Sequence, residues 1–187
     1  MMRIDFYGDW VSDKIGAIKI IGGINLNIKN SDYNLVNFES PIKDTCLPTL
    51  KSGPSIQQDA DGPRWLKQHG FNVFSLANNH IMDFGEKAAR ETEATLGHEK
   101  CVGIGVGKGA FKPLLLEKEG IKVAILALAE LQFGMVHDSF TQANDYGCAW
   151  INHPCVNRLV RETKKNVDFL IIVAHAAVSY THLRAHE

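Results

Sequence analysis

Short apolar runs alternate with polar stretches along the 187-residue chain, and the runs carry two different periods. "RIDFYG" (3–8), "NLVNFES" (34–40) and "FNVFSLA" (71–77) are rich in aromatic and β-branched residues, the make-up of strands. "RWLKQHG" (64–70) reads as a short helix feeding the third of them. In "GEKAARETEATLGHEK" (85–100) Ala88, Thr92 and Leu96 fall at i, i+4 and i+8 with charge on the other faces, which predicts an amphipathic helix. "PLLLEKEGIKVAILALAE" (113–130) predicts two strands about the turn Glu119-Gly120, so the sheets are not purely parallel. "HPCVNRLVRETKK" (153–165) predicts a helix, and "VDFLIIVAHA" (167–176) a last, buried strand. Alternation of this kind implies a layered α/β domain.

Composition narrows the partners. With 45% hydrophobic and 22% charged residues the chain has the make-up of a globular domain with a proper core. Lys+Arg 20 against Asp+Glu 21 gives a net charge of -1, and no basic run could track a phosphate backbone, so nucleic acid is not an expected partner. "MMRIDFYGDW" lacks the pattern of a signal peptide, and no run of about 18 apolar residues is present, which predicts no membrane segment and a cytoplasmic location. Cys46, Cys101, Cys148 and Cys155 form no C-x-x-C pair, as suits a reducing compartment. Cys148, His153 and Cys155 suggest a zinc corner, but no fourth ligand is spaced for it. "GIGVGKG" (103–109) matches no phosphate-loop pattern and predicts a tight turn.

The chemistry gathers where the strands end. The first ends at Gly8-Asp9, the second at Asn37-Phe38-Glu39, the third at Asn78-Asn79-His80, and the last at His175. In α/β sheets the carboxyl ends of the strands are where ligands bind. Carboxylates, an amide oxygen and imidazoles are the donors that divalent Mn, Fe, Zn or Mg accept. Two such ions together hold the attacking and leaving oxygens of a phosphoryl displacement, so the set points to a dinuclear hydrolase. Asn78 alone reads better as the closure of an Asx-turn than as a ligand.

"GDW", "NFESPI" and "SLANNHIMDFG", in that order, resemble the signature of the CapA family of capsule (poly-γ-glutamate) synthesis proteins, a branch of the calcineurin-like metallophosphoesterases. "VGIGVG" and "ALAE" resemble later elements of the same family. The resemblance implies a four-layer α-β-β-α sandwich with mixed sheets and a site for two divalent metal ions. It also implies a phosphate ester or anionic polymer as substrate, with capsule-synthesis partners at the cell envelope. Carried over residue by residue, it makes Asp9, Glu39, Asn79 and His175 metal ligands, with Glu39 in the bridging position. His80 becomes the general acid or oxyanion stabiliser, and Asp83 the group that orients it. A second reading from another class is a non-catalytic capsule-assembly factor that binds a polyanion.

Two departures from the pattern shape the expectations. The usual D-x-H of the superfamily reads Asp9-Trp10-Val11 here, and a later His-containing element is missing. "SYTHLRAHE" loses all periodicity and resembles translated read-through. Residues 1–177 are therefore expected to form the domain, incomplete at its C-terminus, and 178–187 a non-native tail, with His182 and His186 of no account. On these ligands alone the 187 residues are expected to hold at most one ion weakly.

Overall fold

Four strands follow one another across the first sheet in chain order, and each neighbouring pair is parallel: β1 (Ile4–Trp10), β2 (Tyr33–Phe38), β3 (Val73–Ser75) and β4 (Cys101–Val102). The structure is a computed structural model that describes residues 1–13, 28–43, 45–51, 53–132, 134, 136 and 145–176. The expected tail at 178–187 lies outside the described residues. Five of the six residues of β2 are buried, as parallel strands covered on both faces must be.

Two helices serve the first sheet. α1 (Gly62–Gln68) carries Pro63 in its first turn, where a missing N–H removes no hydrogen bond, and buries Leu66. α2 (Gly85–Leu96) buries Ala88, Ala89, Thr92 and Leu96, the stripe its period predicts. It stops four residues earlier than the sequence suggests, because Gly97 takes a φ of 99° and His98–Lys100 tightens into a 3-10 turn.

"GIGVGKG" is more than a turn. β5 (Ile104–Val106) pairs antiparallel with β8 (Tyr146–Cys148), and a 3-10 segment covers Gly107–Phe111. β6 (Leu114–Lys118) and β7 (Ile121–Ala129) form the expected hairpin. Glu119 and Gly120 have φ values of 52° and 79°, the left-handed pair that a two-residue turn needs to match strand twist. β9 (Phe169–His175) adds parallel to the other side of β7, making the second sheet mixed. α3 (Val156–Lys164) precedes it.

Strand β7 sorts the layers by alternation. Val123, Ile125, Ala127 and Ala129 join one core with Leu35, Val73 and Phe74 of the first sheet and Leu66, Ala89 and Leu96 of α1 and α2. Leu126 and Leu128 point the other way, into a cluster with Phe111 and Val156, against which Leu159 and Val160 of α3 pack. The order is thus α-β-β-α. The sheets meet tightly at Gly103, where an added Cβ would fall 2.5 Å from that of Ala77 and 2.9 Å from that of Ala127.

One expectation fails in this sheet. The apolar run of β9 reads as an interior strand, yet none of its seven residues is fully buried. Among the described residues its partner is β7 alone, which puts it at the edge of the sheet that these residues form, and Phe169 and Ile172 are 60% and 46% exposed.

Candidate functional site

The parallel pairing of β1 and β2 slips between Phe6 and Asp9, and the register resumes with Asp9 opposite Asn37. This irregularity brings the Asp9 carboxylate beside Asn37, whose Nδ2 donates to Asp9 Oδ1 at 2.7 Å. Asn37 Nδ2 also lies 3.2 Å from His175 Nδ1, so one amide links the first sheet to the last strand of the second. His175 Nε2 is 3.0 Å from Asn79 Oδ1 and 3.9 Å from Glu39 Oε1, and His175 Nδ1 is 3.8 Å from Asp9 Oδ1. Four strand ends distant in sequence therefore place Asp9, Glu39, Asn79 and His175 around one point.

The loop after β3 is set by side-chain hydrogen bonds. Asn78 is fully buried; its Oδ1 accepts the backbone N–H groups of His80 and Ile81 at 3.1 and 2.8 Å, an Asx-turn that starts the bend. Its Nδ2 donates to Asn37 Oδ1 at 3.1 Å and to the Phe38 carbonyl at 3.0 Å, tying this loop to the end of β2. Behind it, the Cys148 thiol donates to the carbonyls of Leu76 and Asn78, each at 3.4 Å. Cys148 is thereby spent on bracing the loop rather than on a zinc corner.

His80 is held from behind. Asp83 Oδ2 lies 2.8 Å from His80 Nδ1 and accepts the Ile56 N–H at 2.8 Å, while Asp83 Oδ1 pairs with the ammonium of Lys51. The pair is buried, with the Lys51 side chain 7% and that of Asp83 0% exposed. Three donors on one carboxylate fix its plane, and through it the imidazole ring. Thr49 closes the arrangement, its N–H and hydroxyl both reaching the Asp83 carbonyl at 2.9 Å.

Electrostatics distinguish the acids. Burial, and then the like charge of Asp9, push the Glu39 carboxyl up to about 7. Burial lowers the His175 imidazole below its ordinary value against the pull of Asp9. Two carboxylates facing one another across a half-buried pocket, flanked by a neutral imidazole and an amide oxygen, are the donors a divalent cation takes up, and its charge would relieve their repulsion. The residues fit such an ion in kind. Among the described residues no three His, Cys, Asp or Glu side chains are gathered closely enough to hold one as they stand, since Asn37 lies between Asp9 and His175.

Two participants have no role in the sequence reading. Asn37 had a legible signal, a polar residue within the apolar strand "YNLVNF" that turns out buried. Lys51 had none: it stands in an irregular loop, and only the fold carries it to Asp83.

Comparison with known proteins bears on the family of the chain. The chain is 24% identical over 181 residues to PGA biosynthesis protein CapA of Bacillus subtilis (strain 168), covering 93% of this chain and 46% of that protein. It is 25% identical over 183 residues to capsule biosynthesis protein CapA of Bacillus anthracis, covering 91% and 43%. A 67-residue stretch is 39% identical to an uncharacterized protein, y4sH, of Sinorhizobium fredii. The chain thus spans less than half the length of the two CapA proteins it matches. The family model of the bacterial capsule synthesis protein PGA_cap matches residues 1–187, and with a layered α/β fold of the metallophosphoesterase kind beneath that match, the chain belongs to this family.

Proposed function

We propose that the pocket is a divalent-metal site serving phosphoester hydrolysis in capsule or poly-γ-glutamate biosynthesis. The observation that carries this reading is the convergence of Asp9, Glu39, Asn79 and His175 from four strand ends. A divalent ion bound there would neutralise charge on a phosphoryl group and ease the deprotonation of water. Asp9 and Glu39 supply the negative charge that selects a cation, and Asn79 and His175 complete the donor set without adding more. Asp83 holds His80 by Nδ1, which leaves Nε2 as the ring nitrogen able to pass a proton to a departing oxygen. Lys51 neutralises Asp83 and keeps that carboxylate out of the donor set.

A second reading, a capsule-assembly factor without catalysis, draws support from the amide-rich pocket, whose polar groups satisfy one another with no ion needed. Titration with manganese separates the two. The metal-site reading expects saturable binding and a rise in melting temperature, both abolished by Asp9→Asn or Glu39→Gln. No binding to the native chain would overturn it. In a chain of the relatives' full length, His80→Ala should cut turnover of a chromogenic phosphate ester about 10²–10⁴-fold while metal binding persists. Equal loss of metal and rate would instead make His80 a ligand.

A further inference from the structure

Away from that pocket, the segment between β8 and α3 folds a thiol onto an imidazole. His153 is 6% exposed and sits in a turn in which its N–H donates to the Trp150 carbonyl and its own carbonyl accepts the Val156 N–H. Its ring is packed at 4.6 Å from Phe111, between centroids, and 6.4 Å from Trp150 edge-on, so its direction is fixed by aromatic walls. The ring presents Nδ1 to Cys155. The backbone N–H of Cys155 donates to Nδ1 at 3.1 Å, which identifies Nδ1 as the unprotonated nitrogen of the ring. Cys155 Sγ lies 2.9 Å from the same atom. A thiol facing the lone pair of an oriented imidazole is the arrangement of nucleophile and base.

The other thiols lie in different surroundings. Cys148 is fully buried, donates to two carbonyls, and has its thiol pushed up to about 12 by burial. The Cys101 thiol is raised further, by burial and by the nearby Glu93 and Glu99. Cys155 is in no disulfide and is partly exposed, and so is Cys46. What sets Cys155 apart from these two buried thiols is the imidazole nitrogen that its sulfur faces at 2.9 Å.

We propose that Cys155 and His153 form a reactive thiol–imidazole pair, a site of reversible modification by thiol–disulfide exchange with a low-molecular-weight disulfide. His153 Nδ1 takes the Sγ proton, Sγ attacks one sulfur of the disulfide, the disulfide bond breaks, and the other sulfur leaves as a thiolate. The products are a mixed disulfide on Cys155, one small thiolate and a protonated His153; no further oxidant is needed.

The aromatic disulfide DTNB tests this on the native chain, with peptide mapping of the labelled sites. Cys155 should react about tenfold or more faster than Cys46 at neutral pH, and the fast phase should vanish in Cys155→Ser. His153→Gln should slow that phase about tenfold or more while still labelling one site quickly relative to the buried thiols. In the native chain, Cys155 reacting no faster than Cys46 overturns the proposal without recourse to any variant. An unchanged rate in a folded His153→Gln protein, checked by circular dichroism, overturns the role of the imidazole.

Discussion

β2 and β9 supply opposite sides of the same pocket under opposite conditions. β2 has a strand on either side and buries five of its six residues; β9 has β7 alone among the described residues and fully buries none of its seven. The half of the pocket on the first sheet is cross-braced, Asn78 to Asn37 and Phe38, Asn37 to Asp9, Asp83 to Lys51, His80 and Ile56. The half on the second sheet is His175, which reaches the others through Asn37 and Asn79. The contrast divides the labour: burial and hydrogen bonds make the first half a fixed template, and His175 is placed against it from an edge. Damage to the first half should therefore cost stability, and damage to the second should cost chiefly function.

The strongest way to break that contrast is at Lys51. Lys51→Met strips the buried Asp83 carboxylate of its counter-charge, and removing one partner of a buried pair costs about 3–5 kcal/mol. The double variant Lys51→Met/Asp83→Leu should recover part of the loss, because no lone charge is then left buried. Urea unfolding of the three proteins measures it; a single-variant cost under about 1 kcal/mol would show that the first half is not fixed by this pair.

The seam between the sheets comes next. Gly103 has a φ of +90°, and its Cβ position is taken by Ala77 and Ala127, so Gly103→Ala should cost about 3 kcal/mol from strain and overpacking together. Gly120 has a φ of +79° with nothing within 4 Å, and there the same change should cost about 1 kcal/mol. Equal effects on midpoint would mean that the two sheets do not meet at Gly103 as closely as described.

How much of this was legible follows the same division. The stripe of α2, the hairpin at Glu119-Gly120 and the convergence of four strand ends all rest on local period or on a short polar cluster after an apolar run, and such signals survive in sequence. β4, β5 and β8 have two or three residues each and no period to read; they exist because a neighbouring strand offers hydrogen bonds. Period also cannot tell an edge from a centre: β9 is as apolar as β2 is buried, and only the list of neighbours separates them. Lys51 belongs to the same class, since its role depends on a contact 32 residues away.

A smaller effect sharpens the electrostatics of the template half. In chelator-treated protein the Glu39 carboxyl is raised from an ordinary 4.5 to about 7. Below the lower value it is protonated whether the chain is folded or not, and folding carries no penalty. Between the two the folded state keeps a proton that the unfolded state has released, so stability falls as pH rises and is fully reduced above about 7. Glu39→Gln removes that dependence. It should gain about 1–2 kcal/mol at pH 8 relative to its effect at pH 4.5, once the partial exposure of the group is allowed for. A pH-independent difference in unfolding midpoint would show that neither burial nor Asp9 raises the Glu39 carboxyl.

The smallest effect tests the edge itself. Ile172 is 46% exposed on β9, and a threonine keeps the β-branch that strands favour while replacing a methyl-bearing arm by a hydroxyl that solvent can satisfy. Ile172→Thr should shift stability by less than about 0.5 kcal/mol, the range of surface substitutions, and should leave manganese affinity unchanged. It should also lower self-association in light scattering, since a long apolar edge invites pairing with another chain. A cost above about 2 kcal/mol would be the signature of a packed residue, and β9 would then be an interior strand in solution, with His175 as firmly placed as Glu39.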